Sequence, residues 1–335
     1  MMIIHIFGNG YQYGGTPKHV LELASLFPEI EHIFTNTIDL ESNLKHDIKQ
    51  IHIHSLLLQN NNLDWDVIPM LQKFLSMNKV RLVWTIHDYQ FLIPDAPNLF
   101  KEEFLLKIPF VHPYIYDLFN ISNLIIFPSQ RLFDNYEATM SFRLPSKCIV
   151  TPHCDVSISE LVPSPRVINK IIRIAFVGYY FHVKGHFLFD QMCAEFQNYR
   201  EHTIEYHIIG QVYQPSEHIN LMKQHGVYKD DELVEKIESL KIDVICHFSL
   251  AEETYCYALT RTIQSQLPIL YIKRGAFTER LKNNEYYVGF EYGYQIKESL
   301  YNLLDKLISN QNERIIKPIS NFIEKTNWYK TNYLP

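Results

Sequence analysis

Two adjacent carboxylates, Glu252 and Glu253, stand at the junction of a strand-like and a helix-like stretch. The apolar run Ile242–Phe248 precedes them, and a run with helical spacing, Thr254–Gln266, follows. The first turn of a helix presents unpaired N–H groups and a partial positive charge, where phosphate binds readily. A carboxylate beside it can accept hydrogen bonds from sugar hydroxyls. The stretch therefore predicts a site for a ligand that is part phosphate and part sugar, although the carboxylates could merely favour the helix N-terminus.

The elements that must position this site alternate between strand and helix. Met2–Phe7 is a continuous apolar run typical of a buried parallel strand, and glycines follow it. A helix then begins, with Thr16 as candidate N-cap and Pro17 as its first residue. This alternation predicts parallel sheets covered by helices on both faces.

Ten further strands are predicted, at His32–Thr35, Gln50–His54, Arg81–Ile86, Leu124–Pro128, Cys148–Thr151, Ile171–Val177, Ile204–Ile209, Ile242–Cys246, Ile269–Ile272 and Tyr287–Phe290. The predicted helices include Asp66–Met77, Gln130–Thr139, His186–Tyr199, Asp231–Leu240, Thr254–Gln266, Phe277–Asn283, Ile296–Ser309 and Gln311–Lys325. The segment Val162–Pro165 interrupts both periods and is the best linker candidate. Two α/β halves joined by a short linker predict a cleft between domains, a preferred place for ligands.

Histidines recur near the ends of the predicted strands. His52 and His54 lie two residues apart on one strand, a spacing that suits metal ligands. No third ligand stands near them in the chain, so we expect structural histidines and no metal site. His182 and His186 flank Lys184 in a loop, and of these three residues we expect Lys184 to be functional.

Composition narrows the classes of function. The chain has 335 residues, 47% of them hydrophobic and 20% charged, with a net charge of −6. This is an ordinary composition for two globular domains. No basic block is present, which argues against nucleic-acid binding. The five cysteines are odd in number and form no CxxC pair, so we expect reduced thiols in a cytoplasmic protein.

An aromatic and proline-containing segment, Asn98–Phe119, interrupts the alternation in the first half. It is expected to form a lid or an acceptor-side insertion, or simply to pack on its domain. Because amphipathic apolar stretches can lie on a bilayer, peripheral contact with a membrane is left open. The N-terminal run lacks a basic leader and is interpreted as a first strand, and no window reaches the ~20 apolar residues of a membrane span.

Seven stretches, in order along nearly the whole chain, resemble motifs of family 4 glycosyltransferases (group 1 glycosyltransferases). They are GGTPKH (14–19), TIHDY (85–89), FPS (127–129), TPH (151–153), FVG (176–178) with Lys184-Gly185, IIG (208–210) and ETYCYALTRTIQSQLPI (253–269).

The resemblance implies the GT-B fold, an α/β architecture of two Rossmann-like domains facing each other across a cleft. Residues 1–163 would form the acceptor-side domain and residues 164–320 the donor domain, with a tail, 321–335, crossing back to the first. The implied activity, as in polysaccharide biosynthesis, is a retaining transfer of a sugar from a nucleotide-diphosphate sugar to a glycan, lipid-linked or other hydroxyl acceptor. The nucleotide sugar is a substrate, and no cofactor or catalytic metal is expected.

Roles for individual residues follow from the same resemblance. Lys184 would neutralise the donor diphosphate, Glu253 would bind hydroxyls of the donor sugar, and His87 would line the reacting sugar. Gly15 would let the backbone approach the phosphates or the reacting centre. Donor binding is also assigned to Glu252, Thr254, Tyr255 and Arg261, and the acceptor side to Asp88 and Tyr89.

Three positions depart from the family pattern. Position 261 is Arg where the family has a second carboxylate that holds the ribose, and Arg cannot accept those hydrogen bonds. Tyr179 stands in place of an arginine and Gln266 in place of a glycine. Arg261 could itself reach a phosphate, or could be a surface or salt-bridged residue. A catalytically silent GT-B-like sugar- or nucleotide-binding protein is therefore the alternative, and a sugar-nucleotide epimerase is less favoured because it needs more acid/base carboxylates.

Overall fold

The computed structural model of the chain describes residues 1–8, 15–44, 47–58, 62–93, 111–140, 143–154, 168, 170–282, 284–293, 296–309 and 321–334. Two compact units make up the chain, one comprising Met1–Val156 with Ser320–Pro335 and the other Ser157–Ile319.

Strands and helices alternate along both units. The strands are β1 (Met2–Ile6), β2 (Glu31–Thr35), β3 (Ile48–Ile53), β4 (Arg81–Thr85), β5 (Leu124–Phe127), β6 (Cys148–Val150), β7 (Ile171–Val177), β8 (Asn198–Tyr199), β9 (His202–Ile209), β10 (Met222–Gln224), β11 (Val244–His247), β12 (Ile269–Ile272) and β13 (Tyr287–Phe290). The α-helices are α1 (Gly15–Ser25), α2 (Leu40–Asn43), α3 (Val67–Met77), α4 (Pro113–Ile121), α5 (Gln130–Met140), α6 (His186–Glu195), α7 (Leu233–Ser239), α8 (Tyr257–Gln264), α9 (Ala276–Arg280), α10 (Ile296–Ser309) and α11 (Asn321–Asn332).

The first unit is built on a parallel sheet of order β2-β1-β3-β4-β5-β6. Side chains alternate across a strand, so β1 sends Ile4 and Ile6 to one buried cluster and Ile3 to another. The second cluster includes Tyr329 and Tyr333 of the C-terminal segment. Helix α11 and the residues after it therefore complete the core of the first unit, although they end the chain.

The second unit has a parallel sheet of order β10-β9-β7-β11-β12-β13, with β8 antiparallel to β9 at one end. From β7 the chain builds outward through β9 and β10, and it returns to β11 on the other side of β7. Ligands of open α/β sheets bind beyond the carboxyl ends of the strands at such a reversal. The carboxyl ends of β7 and β11 are therefore the place to look for a site.

Every strand predicted from the sequence is present within two residues of its expected bounds. Several helix predictions needed correction. Helix α1 begins at Gly15, so Thr16 and Pro17 lie inside it and are not its N-cap and first residue, and α9 ends at Arg280 instead of Asn283. Helix α6 ends at Glu195 instead of Tyr199, because residues 198–199 form β8 in a hairpin with β9. Helix α8 begins at Tyr257, three residues later than expected, and α11 runs from Asn321 to Asn332 instead of ending at Lys325.

Two predicted features lie partly or wholly outside the described residues. Of the aromatic segment 98–119, residues 111–119 are described, and Ile115, Leu118 and Phe119 of α4 are buried. The linker candidate 162–165 is not among the described residues. None of the described helices is both long and apolar enough to cross a membrane.

Candidate functional site

Lys184 and Glu253 meet beyond the carboxyl ends of β7 and β11, the neighbouring strands at which the sheet order reverses. Lys184 ends a short 3₁₀ turn after β7, and Glu253 lies in the loop between β11 and α8. Residues far apart in sequence are thus brought together at the predicted ligand-binding edge.

The Lys184 ammonium donates to Glu253 Oε1 in a close ion pair. Ser249 Oγ donates to the same oxygen over 2.7 Å. Burial opposes the charge on both groups, but the opposite charge of the partner outweighs it. The pKa of Lys184 is therefore raised and that of Glu253 lowered. Both side chains are charged at neutral pH, and they remain 29% and 12% exposed.

Two glycines hold the backbone of this pair in place. A Cβ at Gly185 would lie 2.1 Å from the carbonyl oxygen of Phe248, at a φ of +73°. A Cβ at Gly275 would lie 2.4 Å from the carbonyl oxygen of Glu253, at a φ of +53°. Only glycine tolerates both the left-handed backbone and such close contact. The loop of Lys184 and the loop of Glu253 are thereby fixed by close backbone packing.

The start of α8 differs from the sequence expectation in a way that affects the carboxylates. Cys256 has a φ of +67° and stands immediately before the helix. Glu252 and Glu253 therefore precede the helix by several residues and do not lie in its first turn. Glu252 is buried, with its Oε1 3.7 Å from Arg274 Nε. Thr254 is half-buried.

Tyr255, assigned to donor binding, is 3% exposed. Its ring packs under the Arg280 guanidinium, whose carbon is 4.3 Å from the ring centre. Arg280 also donates to the carbonyl oxygens of Tyr255 and Cys256 and to Thr260 Oγ1. Arg280 thus ties the backbone before α8 to the helix itself.

Arg261, at the position where the family pattern has a carboxylate, is 1% exposed. Its Nε donates to Asp230 Oδ2 over 2.6 Å, and an outer nitrogen donates to Gln264 Oε1 over 3.2 Å. The Asp230 side chain remains 31% exposed. Arg261 is therefore a buried, salt-bridged residue, and a carboxylate from another part of the chain stands at the end of its side chain.

Replacing Arg261 by Glu is expected to lower the free energy of unfolding by about 3 kcal/mol, because it buries a second carboxylate against Asp230. Exchanging both charges, Asp230→Arg with Arg261→Glu, is expected to restore at least half of that loss. Urea unfolding followed by far-UV circular dichroism measures both. As a control, Arg173→Glu breaks a partly exposed pair with Glu205 and should cost about 1 kcal/mol or less. An Arg261→Glu variant as stable as the wild type would contradict this account.

Tyr179, which replaces the family arginine, is 45% exposed. Its ring packs edge-on against Tyr213, with ring centres 5.4 Å apart. Burial lowers the pKa of Lys184, Glu253 raises it by more, and Tyr179 adds the smallest of the contributions that raise it. An exposed aromatic pair therefore borders the Lys184–Glu253 site.

In the first unit, His87 is buried and bonds His54 and His153 over 3.0 and 3.2 Å. Burial lowers the pKa of His87 to about 3. His87 is thus a neutral member of a histidine network that also contains His52 and His54, described below.

The residues assigned to the acceptor side, Asp88 and Tyr89, and Gly15, which is assigned to donor binding, differ in exposure. Asp88 is half-buried, and its Oδ1 accepts from the N–H of Gln90 over 2.8 Å. Tyr89 is 1% exposed, and its hydroxyl accepts from Asn135. Gly15 is exposed at the start of α1. Asp88 and Gly15 therefore present surface, whereas Tyr89 packs in the core.

Sequence reasoning missed four residues of the second unit. Ser249 stands four residues before Glu253, within the stretch that had been singled out, and its hydroxyl could have been noticed. Arg274, Gly275 and Asp230 come from other loops. Nothing in the sequence marks Asp230 as the partner of Arg261, because the contact spans 31 residues.

Comparisons with solved structures identify the fold. The chain matches the crystal structure of Anabaena Alr3699/HepE in complex with UDP-glucose with a TM-score of 0.67 and 13% identity, covering 99% of each chain. It matches the lipopolysaccharide outer core galactosyltransferase WaaB, apo form, with a TM-score of 0.64 and 11% identity over 100% of both chains. It matches sucrose-phosphate synthase from Thermosynechococcus elongatus with a TM-score of 0.65 and 12% identity, covering 98% and 96%.

These similarities confirm the predicted GT-B fold of two Rossmann-like domains. At such low identity they show the fold alone. No protein-family model matches the chain. A search of curated proteins gave no match either.

Proposed function

We propose that this protein is a glycosyltransferase that moves a sugar from a nucleotide-diphosphate donor to a hydroxyl acceptor. The observation that carries the proposal is the Lys184–Glu253 pair at the topological switch point of the second unit. A cation and a carboxylate side by side suit the diphosphate and the hydroxyls of one donor. The similarity in fold to glycosyltransferases, one of them in complex with UDP-glucose, supports it.

The Lys184 ammonium would bind the diphosphate of the donor and stabilise it as the leaving group. As the sugar leaves, negative charge develops on the diphosphate, and a fixed ammonium stabilises that charge where it forms. The N–H groups at the start of α8 add a partial positive charge on the same side of the sheet. Glu253, held by Ser249, would orient the donor sugar through its hydroxyls. On this proposal, transfer is retaining and needs no metal at the diphosphate.

We further propose that Asp230 supplies the carboxylate that position 261 lacks. Arg261 is buried and holds Asp230 Oδ2, so a carboxylate remains beside α8 even though it comes from another loop. The partly exposed Asp230 can accept hydrogen bonds from the nucleotide ribose, and the exposed ring of Tyr179 can contact the nucleotide. Arg261 then contributes to donor binding by positioning Asp230. Thr254, Tyr255 and the buried Glu252 would contribute from the loop before α8.

The residues of the first unit complete the proposal. His87 would line the reacting sugar, and Gly15 would let the backbone approach the donor phosphates. Asp88 would serve the acceptor side, with Tyr89 supporting it from the core. The acceptor would be a glycan, a lipid-linked glycan or another hydroxyl compound. The family 4 type of this activity rests on the seven sequence stretches and on the fold.

A catalytically silent nucleotide- or sugar-binding protein is the second candidate, and the arginine at position 261 favours it. Both candidates require that a nucleotide binds, but only the enzyme consumes its donor. Release of nucleoside diphosphate from a bound nucleotide sugar therefore separates them.

The proposal is tested by thermal unfolding of the purified protein with UDP, GDP, UDP-glucose, UDP-N-acetylglucosamine and GDP-mannose, with and without chelator. Far-UV circular dichroism is the readout because it reports on both units. A ligand at about 100 times its Kd stabilises the native state by about 2.7 kcal/mol, so one nucleotide family should raise the Tm clearly. The Lys184→Met variant should lose that shift, and Lys223→Met, at an exposed ion pair with Glu205, should keep it. No shift with any of these compounds would overturn the proposal.

A further inference from the structure

Seven histidines of the first unit form a nearly continuous cluster, the histidine cluster: His5, His19, His32, His52, His54, His87 and His153. All but His32 are at least 96% buried. They lie on the sheet face that also carries Tyr329 and Tyr333, and His52 Nδ1 bonds the Tyr333 hydroxyl over 2.8 Å. So many buried imidazoles are costly unless their nitrogens are satisfied.

One branch of the cluster has its proton positions fixed by a backbone carbonyl. His32 Nε2 lies 3.2 Å from the carbonyl oxygen of Phe27, which can only accept a hydrogen bond. A neutral imidazole has one donor and one acceptor nitrogen, so His32 Nδ1 accepts from His5 Nε2 over 2.9 Å. His5 Nδ1 in turn accepts from His54 Nε2 over 3.1 Å. The remaining nitrogen, His54 Nδ1, is therefore an acceptor, and without a metal it accepts from His87 Nε2 over 3.0 Å.

Two more histidines present a nitrogen near His54 Nδ1. His87 Nε2 lies 3.0 Å from His54 Nδ1, while its other nitrogen bonds His153 over 3.2 Å. His19 Nδ1 lies 3.6 Å from Cys154 Sγ, and its Nε2 has no hydrogen-bond partner among the described residues. One ligand nitrogen from each of His19, His54 and His87 lies within 4.8 Å of the others.

We propose that His19, His54 and His87 form a binding site for a divalent transition metal ion, most suitably Zn²⁺. Each of the three would offer one nitrogen to the ion and would be oriented by a partner on its other nitrogen. Such outer partners, here His5, His153 and Cys154, are the usual companions of metal-binding histidines. In a tetrahedral zinc site, nitrogens at about 2.0–2.1 Å from the ion stand about 3.3 Å apart. The His54–His87 separation of 3.0 Å is already close to that value.

A second triad, His5, His52 and His54, is also close enough to hold an ion, but its nitrogens are in use. His52 bonds Tyr333 and Thr85 over 2.8 Å each, and His5 bonds His32 and His54. His54 belongs to both triads, so one ion is expected. The triad that contains the unpartnered His19 Nε2 is the better site.

The chemistry of the site favours a borderline metal such as zinc over magnesium or calcium, which prefer oxygen ligands. A fourth ligand is available as water, because Cys154 lies at the other nitrogen of His19, 3.6 Å from Nδ1. Burial holds the pKa of His19 and His54 well below the usual value, which keeps the imidazoles in the neutral form that binds metals. The ion would link β3, the loop after β4 and α1.

Metal binding by the full-length protein tests the proposal, with chelator-treated protein titrated with Zn²⁺ and with Co²⁺. We expect one ion per chain, and a cobalt complex with the intense visible absorption of a tetrahedral site. No thiolate charge-transfer band is expected, because Cys154 bonds the nitrogen of His19 that does not face the ion. His19→Phe keeps a ring against His153 and should weaken metal binding at least about a hundredfold, since losing even an outer partner costs about 10–100-fold.

His225→Phe is the matched control, because His225 belongs to a close histidine pair of the second unit, 2.9 Å from His207. It should bind metal within about threefold of the wild type. Unchanged binding in His19→Phe would overturn the assignment. If that variant does not fold, the metal titration of the wild-type protein tests the proposal by itself. Binding of less than one ion per chain, or the weak cobalt spectrum of an octahedral site, would overturn the proposal. The readout is metal binding and not sugar transfer, so it is independent of the proposed function.

Discussion

Replacing Glu253 by Gln or Lys184 by Met is expected to slow donor consumption by about 10²–10³-fold, the usual effect of removing one fixed charge-stabilising group. Glu253→Gln keeps the shape of the side chain but removes the charge that holds Lys184. Lys184→Met keeps the apolar stem but removes the cation that faces the diphosphate. Release of nucleoside diphosphate from the donor found in the thermal screen measures both effects.

The two losses should not add in the double variant, because each single change already leaves the other charge uncompensated in the site. Glu205→Gln is a matched control, since Glu205 pairs with Lys223 over 2.9 Å in the same unit and takes no part in the proposed site. That variant should turn over at nearly the wild-type rate. Wild-type rates in both Glu253→Gln and Lys184→Met would remove these residues from the mechanism.

The first unit is expected to unfold in mild acid when it is free of metal. Burial lowers the pKa of His5 and His87 to about 3 and moves those of His19, His52 and His54 well below the usual value. Between pH 6.5 and 3 the unfolded chain therefore binds protons that the folded chain does not. Stability then falls as the pH falls, by about 1.4 kcal/mol per pH unit for each such histidine.

A typical free energy of unfolding is about 5–15 kcal/mol. Five such histidines together are expected to lower it to zero within about one to two pH units below 6.5. Tryptophan fluorescence isolates the effect, because all three tryptophans, Trp65, Trp84 and Trp328, belong to the first unit. Urea unfolding of chelator-treated protein at pH 7.5, 6.5 and 5.5 gives the slope. Histidine is the side chain whose ordinary pKa lies in this window, so the slope reports on the histidines. A free energy of unfolding that does not change between pH 7.5 and 5.5 would contradict their neutral burial.

The strands could be predicted because buried parallel strands are continuous apolar runs. The two that were missed, β8 and β10, lie at or beside the edge of their sheet, are two and three residues long and carry no apolar run. The start of α8 was misplaced for a different reason. Residues 254–256 have helical spacing, but Cys256 takes a left-handed φ that a non-glycine residue adopts only when the tertiary structure imposes it.

The candidate site was predicted only in part. Lys184 and Glu253 have the residue types that a sugar phosphate requires, and the structure places them together. Arg261 was ambiguous in the sequence, because an arginine can bind a phosphate or form a buried salt bridge. The contact with Asp230 shows that Arg261 forms a buried salt bridge. That contact could not be predicted, because it depends on how the loop before α7 folds. Gln266, which replaces the family glycine, keeps a positive φ of 53°, so the backbone conformation persists without the residue that usually permits it.

The sequence by itself determined the two α/β units and the alternation of isoleucine with histidine along β1 and β3, since both follow from short-range periodicity. Tertiary structure alone decided which side chains meet. The order β2-β1-β3-β4 sets His5 beside His52 and brings His87 to His54, while α1 adds His19 to the same face. Strand order and helix docking depend on the packing of whole layers, so neither the histidine cluster nor the Arg261–Asp230 pair could be inferred from spacing along the chain.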